Sequence, residues 1–450
     1  MEYLNPQYVL FAGILLIIIA DFLRYSVKSN KKDFMHYMTA FILGSAFVFD
    51  AIYGNMNISL FSEASYSQFV TGFMLFISFF VYLFIISDKN EHSVAIDVSY
   101  LSAVLGATLT VLSSNFISLF LSIELLSIAS YALIYMYKSD NALEGAVKYL
   151  STGIVSMVIL IFGISVIYAG TGTLSFSSLH VVSYTPFIAG VAIVIAGLGF
   201  KSTLVPFHMW APDTYEASKS SVTAFISSVS KAAGLIAMIR IFFFALPISS
   251  FFITALFLSI ALITIFLSAF LASVQERIKR ILAYSSISQA GFAFISIAVL
   301  TAKGINAAVF YIFAFAIADA IVFLAYDMFE NRKIIYKKDS STMASVSRIG
   351  AVSFFIGILS LAGFPPTIGF FGKLLIFYAL FSSGYSMIVL LVFFSLLVST
   401  FYYFSVLSDM HVIDKMIANK KNTPVKKEQR IKEAILIILT LSLFIGVIFA

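Results

Sequence analysis

Four lysines and one glutamate stand inside stretches that are otherwise apolar: Lys148, Lys201, Lys231 and Lys373, with Glu124 in FISLFLSIELLSIASYALIY. A lysine at mid-bilayer costs about 2.5 to 3.5 kcal/mol on insertion scales, so a set of four implies use. Burial disfavours the charged form of either group and an ion pair favours it, so displacing one partner drives protonation or deprotonation of the other. That is the chemistry of a proton relay. A static ion pair between helices is the structural alternative for Glu124 and a buried lysine.

The individual residues differ in how strongly they demand this reading. Lys148 follows Glu144 by one helical turn, so an intrahelical ion pair worth a few tenths of a kcal/mol explains it equally well. Lys231 lies between Ser227, Ser228 and Ser230 on one side and Ala232, Ala233 and Gly234 on the other. It is too far from either end of its stretch to snorkel. His208 follows Lys201 in KSTLVPFHMWAPDTYE and would lie two turns below it if the helix resumed. Histidine titrates near neutral pH, which suits an intermediate carrier, although a lone histidine at a helix end is equally consistent with a structural role. No metal-ligand spacing surrounds it.

Pro206, with Gly197 and Gly199 before it, breaks the helix around Lys201. Polar backbone at that depth is tolerated only where it lines a cavity or is covered by protein. The pattern recurs in GILSLAGFPPTIGFFGKLLIFYALF, where Pro365 and Pro366 precede Lys373. The second break comes five spans after the first. An odd offset makes the two units antiparallel, the signature of an inverted repeat over spans 4 to 8 and 9 to 13.

The elements that must position these residues follow from composition. Of 450 residues 61% are hydrophobic and 11% charged, and the mean hydropathy of +1.01 lies far outside the soluble range. The sequence predicts an all-α integral membrane protein with about fourteen spans, centred near residues 16, 44, 77, 103, 125, 157, 196, 231, 260, 288, 316, 364, 395 and 441. The expected organisation is an N-terminal three-helix segment (1–90), a first repeat (91–245), a second repeat (246–410), and a loop with a final span (411–450). Long joints are expected at 327–349 and 408–432.

With loops numbered by the span they follow, the odd loops hold 22 of the 28 lysines and arginines, and the even loops only Arg240 and Lys303. The positive-inside rule places the odd loops in the cytoplasm and both termini outside it. The first apolar stretch, with no basic region before it, reads as a retained span and not a removed signal. The net charge of +6 resides in these loops, so lipid headgroups and topology explain it and no nucleic acid is expected. Cysteine is absent, which excludes thiolate-held iron-sulfur clusters and disulfides. There is neither a GxGxxG nor a Walker loop, so no nucleotide site is expected.

Six ordered segments carry a resemblance: Glu124-Leu125-Leu126-Ser127 to Tyr131, Glu144-Gly145-Ala146-Val147-Lys148-Tyr149, KSTLVPFHMWAPDTYE, VTAFISSVSKAAG, IKRILAYSSISQAGF and LAGFPPTIGFFGK. Over roughly residues 93–405 the chain resembles the antiporter-like membrane subunits of respiratory complex I. Among these it looks most like the N type, the homologue of mitochondrial subunit 2. Asp213-Thr214-Tyr215-Glu216 and a lysine at 373 favour that type. The L-type sibling normally carries a long C-terminal helical extension that this sequence lacks.

The resemblance implies roles for matched residues. Glu124 would be the carboxylate that tunes Lys201, Lys201 the lysine that takes a proton from the cytoplasmic side, Lys231 the central lysine, and Lys373 the lysine that releases outward. Lys148, Glu144 and His208 would be ancillary. It also implies no cofactor in this chain, with quinone, iron-sulfur clusters and flavin or an equivalent in partner subunits of the M, L, K, A, J and H types. The setting it implies is a prokaryotic plasma membrane. A multisubunit cation/proton antiporter has the same fold and lysines without a redox reaction, and stands as the alternative.

Two departures from the family pattern matter. Ala217-Ser218-Lys219-Ser220-Ser221 replaces a segment that usually carries two prolines, which leaves the start of span 8 open. Gln289 stands where many relatives place a histidine, and an amide does not carry a proton under ordinary conditions. A path from Lys231 to Lys373 is therefore expected to use water with Tyr284, Ser285, Ser286 or Ser288. Asp97 reads as a helix-end residue, while Asp50 and Asp319 have no assignment.

Overall fold

The computed structural model describes residues 6–27, 32–53, 63–88, 93–137, 140–245, 251–330, 332, 334–410 and 427–449. Among these residues, twelve helices are long and apolar enough to cross a membrane. Two shorter apolar helices, Arg348–Ala362 and Ile368–Ser382, form one broken span, and Lys427–Ile445 closes the chain. Together they occupy the fourteen stretches expected from the sequence. The basic segments at 28–31 and 411–426, which weigh heavily in the orientation argument, lie outside the described residues.

In chain order the first spans are α1 (Pro6–Val27), α2 (Lys32–Tyr53), α3 (Glu63–Ile86), α4 (Val94–Leu112), α5 (Phe116–Tyr135), α6 (Asp140–Thr171) and α7 (Tyr184–Lys201). A short helix α8 (Trp210–Ala217) follows the first break. The eighth span comprises α9 (Ser220–Phe225), a π turn (Ile226–Ser230), α10 (Lys231–Ile239) and a second π turn (Arg240–Ala245). Then come α11 (Phe251–Ser273), α12 (Ile278–Ala298), α13 (Ala302–Glu330), α14 (Met343–Val346), α15 (Arg348–Ala362), α16 (Ile368–Ser382), α17 (Ser386–Leu407) and α18 (Lys427–Ile445).

The inverted repeat is visible in the loops. Asn115, between α4 and α5, forms an antiparallel bridge with Ser175, between α6 and α7. Arg277, between α11 and α12, forms the same bridge with Tyr336, between α13 and α15. Phe116 N–H donates to Leu174 O at 3.0 Å and Ile278 N–H to Ile335 O at 3.0 Å, and a 3-10 turn follows each bridge. One bridge joins even loops and the other joins odd loops, so the two lie at opposite faces of the membrane.

Burial sets where polar chemistry can sit. The apolar window of the eighth span is 100% buried within the protein and those of α12 and α13 are 94% buried, against 28% for α1 and α6. A helix that is apolar all round belongs in such a core. Lys231, Ser286 and Asp319 are carried by these three central spans, so their polar groups must find partners inside the protein.

The structure revises several boundaries. Helix α13 continues through Glu330, and a 3-10 turn with α14 follows, so the joint expected at 327–349 is largely helical. Arg240, expected in an even loop, is buried at the end of the eighth span, where it donates to Ser113 O at 2.5 Å. The eighth span starts without prolines, and carboxylates receive its first groups. Ser220 N–H and hydroxyl donate to Glu330, and Ser221 N–H donates to Asp327 at 3.2 Å. These N–H groups would otherwise be orphaned at the helix start.

Helix α18 is held by charge. Lys432 Nζ lies 2.9 Å from Asp88 and 3.0 Å from Asp327, and Lys219 lies 2.9 Å from Asp88. Burial pushes the Asp88 carboxyl up, but Lys432 and Lys219 together override it and hold it below the usual range. A depressed carboxyl contributes stability that is present above its unfolded value and lost as pH falls. Lys432→Met leaves Asp327 buried beside an apolar side chain, with an expected loss of about 3 kcal/mol. Thermal unfolding in detergent at neutral pH should show it, and the difference from wild type should narrow at acid pH.

Candidate functional site: a buried lysine relay

Lys201 is the last residue of α7 and is only 3% exposed. Its Nζ donates to the Tyr149 hydroxyl at 3.1 Å. Tyr149 is stacked on Trp210 with ring centroids 4.1 Å apart, and Trp210 Nε1–H donates to Phe200 O at 3.2 Å. The indole therefore fixes the phenol and adds a second donor to the Phe200 carbonyl, which Thr203 N–H also reaches at 3.1 Å. The chain turns through 202–209 before α8, anchored by Val205 N–H to Thr264 Oγ1 at 3.0 Å. His208 is buried in this turn, not two turns below Lys201 on a continued helix. A Cβ on Gly234 would come within 3.2 Å of Lys201 Cγ, so the eighth span approaches here as closely as it does because that residue is glycine.

Glu124 is half-buried on α5, and its charge and that of Lys201 act on each other. The direct ion pair expected between Glu124 and a buried lysine does not form; Lys201 instead donates to the Tyr149 hydroxyl. Lys148 pairs with Glu144 at 2.8 Å, as the spacing predicts, and also with Asp213 at 2.9 Å. At 44% side-chain exposure it is not buried in the relay. Asp213 also takes Arg280 at 2.5 Å, and Glu216 pairs with Arg277 and Arg280. These charges line a cavity of about 290 Å³ whose rim includes Glu144 and Lys148. It lies on the odd-loop side, one residue from Tyr149.

Lys231 sits where the π turn meets α10 and is 1% exposed. Single π turns inside α-helices recur at functional sites. Its Nζ donates to Ser286 Oγ, and Ser286 Oγ–H donates to Asp319 Oδ2 at 2.5 Å. The ammonium also lies over the Tyr215 ring at 5.6 Å. Lysine, serine and aspartate thus come from the eighth span, α12 and α13.

Lys373 is 4% exposed and donates to Leu361 O at 2.6 Å and Ala362 O at 3.1 Å. These are the last carbonyls of α15, the negative end of that half-helix dipole. Gly363 ends the helix with φ +86°, and a Cβ there would meet Lys373 Cδ at 2.9 Å. Gln289 shares the cradle: its amide donates to Leu361 O at 3.0 Å and to the Tyr403 hydroxyl at 2.7 Å, while the Tyr311 hydroxyl donates to its oxygen. Tyr403 also bonds Ser285. Every hydrogen-bonding group of Gln289 that reaches this cradle is engaged.

Residues 113–400 match the family described as NADH:quinone oxidoreductase/Mrp antiporter, transmembrane. The chain is 33% identical over 317 residues to a NADH-quinone oxidoreductase subunit N of Moorella thermoacetica, covering 69% of this chain and 67% of that one. The chain belongs to the subunit N family. The F420H2 dehydrogenase subunit N of Methanosarcina mazei is 30% identical over 432 residues, covering 89% of this chain and 87% of its own. A chain of respiratory complex I from Thermus thermophilus has the same fold, with TM-score 0.81 and 22% identity over 98% of this chain and 97% of that one. A chain of the Mrp complex from Dietzia superposes with TM-score 0.83 at 18% identity, covering 99% of this chain and 95% of that one. In the subunit N family this chain is a multi-pass membrane subunit of the kind found in multisubunit complexes.

The structure brings together Lys201 with Tyr149, Lys231 with Asp319, and Lys373 with Gln289. Ser285 and Ser286 join these contacts, whereas Tyr284 packs on the odd-loop side near Arg280. Sequence reasoning missed Tyr149, Tyr311, Tyr403 and the role of Asp319. One signal was available: Tyr149 and Tyr311 lie at the same distance from the starts of α6 and α13, as the repeat requires. Of the other acids, Asp97 is in the first turn of α4, as expected, but fully buried. It bonds His36 at 2.7 Å and Tyr82 at 2.6 Å. Asp50 packs its carboxylate against Gly72 of α3.

Proposed function

We propose that this chain carries protons across the membrane as the N-type subunit of a complex I-like quinone oxidoreductase, driven by quinone reduction in other subunits. The observation that carries this reading is the setting of three buried lysines, each held by neutral acceptors: a tyrosine hydroxyl, a serine hydroxyl, and two backbone carbonyls. Such partners hold the nitrogen in place whether it is charged or neutral, which a relay needs and a fixed ion pair does not.

In this reading Glu124 tunes Lys201, protons pass from Lys201 through Lys231 to Lys373, and Lys373 releases outward. Lys148, Glu144 and His208 serve the cytoplasmic side. Residues 91–245 and 246–410 act as two half-channels, with both termini outside the cytoplasm of a prokaryotic cell. Moving one charge against 100 mV costs about 2.3 kcal/mol, which a change of roughly two pKa units at about 1.4 kcal/mol each supplies. The M-, L-, K-, A-, J- and H-type subunits are the partners, and quinone, iron-sulfur clusters and flavin or an equivalent belong to them or to the electron-input arm.

The test is to tag the chain, solubilise its membrane gently and record the co-purifying subunits and visible absorbance. Iron-sulfur absorbance with quinone-reducing partners is the expected result. A colourless assembly of small hydrophobic subunits would make the chain part of a cation/proton antiporter instead.

A further inference from the structure

We propose that Asp319 is itself a proton carrier, exchanging a proton with Lys231 through the Ser286 hydroxyl; this rests on the reading of the chain as a proton path. Asp319 is 1% exposed at the middle of α13, and it is the carboxylate bridged to Lys231 through Ser286. Ser286 accepts from the ammonium and donates to the carboxylate, so its oxygen already lies between donor and acceptor.

The exchange balances without any other reactant. A Lys231 N–H bond breaks as an O–H bond forms at Ser286, and the former Ser286 O–H proton moves to Asp319. An ammonium and a carboxylate become an amine and a carboxylic acid, with the serine unchanged. Both charges vanish together, which a low-dielectric core favours. A static pair would gain most from direct contact, and the interposed hydroxyl is what a transfer needs.

The groups facing Asp319 support this placement. The charge of Asp319 reaches Tyr215, Tyr311 and Tyr403, and Lys231 is the cation that acts on Asp319 itself. Gln289 does not carry a proton under ordinary conditions, and its partners Tyr311 and Tyr403 lie within reach of the Asp319 charge, which connects the α13 carboxylate to the Lys373 cradle. The Asp319 arrangement thus supplies the titratable group that Gln289 does not.

Three variants in the assembled complex, reconstituted in vesicles, test the proposal. Asp319→Asn keeps an oxygen to accept from Ser286 but cannot cycle a proton, and should lower proton translocation at least about tenfold. Asp319→Glu should restore a substantial part of it. A role as hydrogen-bond acceptor alone predicts the reverse order, with Asn tolerated and the longer Glu not, and that order would overturn the proposal. Ser286→Ala keeps both charges and removes the bridge, so wild-type translocation in it would also overturn the proposal, even if Asp319→Asn fails to assemble. Lys201→Met in the same vesicles separates the two ideas. Loss in Lys201→Met with none in Asp319→Asn sinks only the Asp319 assignment, and no loss in Lys201→Met sinks the underlying reading.

Discussion

Lys231→Ala is expected to destabilise the helical core by about 3 to 5 kcal/mol, because it leaves Asp319 buried without its cation. It is also expected to abolish proton translocation. The two effects are separable. In Lys231→Met with Asp319→Leu both charges are gone and volume is roughly kept, so stability should return to near wild type. Translocation should not return, because neither group can take a proton. Thermal unfolding of the purified complex and vesicle acidification measure the two sides. Recovery of translocation in the double variant would show that the pair is a structural tie.

Gly363→Ala is the second large effect, and it acts at a distance of one side chain. A residue with a Cβ at φ +86° loses roughly 1 to 2 kcal/mol, a modest change in unfolding temperature. The functional effect is greater. The new Cβ would fall 2.9 Å from Lys373 Cδ and 3.3 Å from its Nζ, and the flexible end of the lysine is what gives way. Moving it withdraws Nζ from Leu361 O and Ala362 O. Each charge-assisted hydrogen bond is worth about 1.5 to 3 kcal/mol, so the outward step should slow by an order of magnitude or more. The expected pattern is near-normal assembly and stability with proton translocation strongly reduced. Normal translocation in Gly363→Ala would mean that the carbonyl cradle is not where the outgoing proton waits.

The spans were legible because apolar runs of membrane length fit a bilayer and little else, and the two breaks because proline and glycine act locally. Lys201, Lys231 and Lys373 were legible as burdens that demand a use. Their partners were not. Lys201 meets a phenol fixed by a tryptophan across the break, and Lys373 meets backbone carbonyls, which have no sequence signature. Asp319 stood in plain view inside an apolar run, but its link to Lys231 depends on how α13, α12 and the eighth span pack. The pairing of Glu124 with a lysine followed from charge alone and did not foresee Tyr149. Lys148 shows the reverse case, since its local pairing with Glu144 was correctly read from a spacing of one turn.

The central claim is that protons cross through the buried lysines. The measurement that tests it most directly is the ratio of protons translocated to electrons passed by the assembled complex in sealed vesicles, comparing wild type with Lys201→Met. Methionine keeps the unbranched apolar stem of the lysine, one atom shorter, and removes the only atom that carries a proton. The account predicts a lower ratio in assembled Lys201→Met complex. An unchanged ratio in fully assembled complex would contradict it.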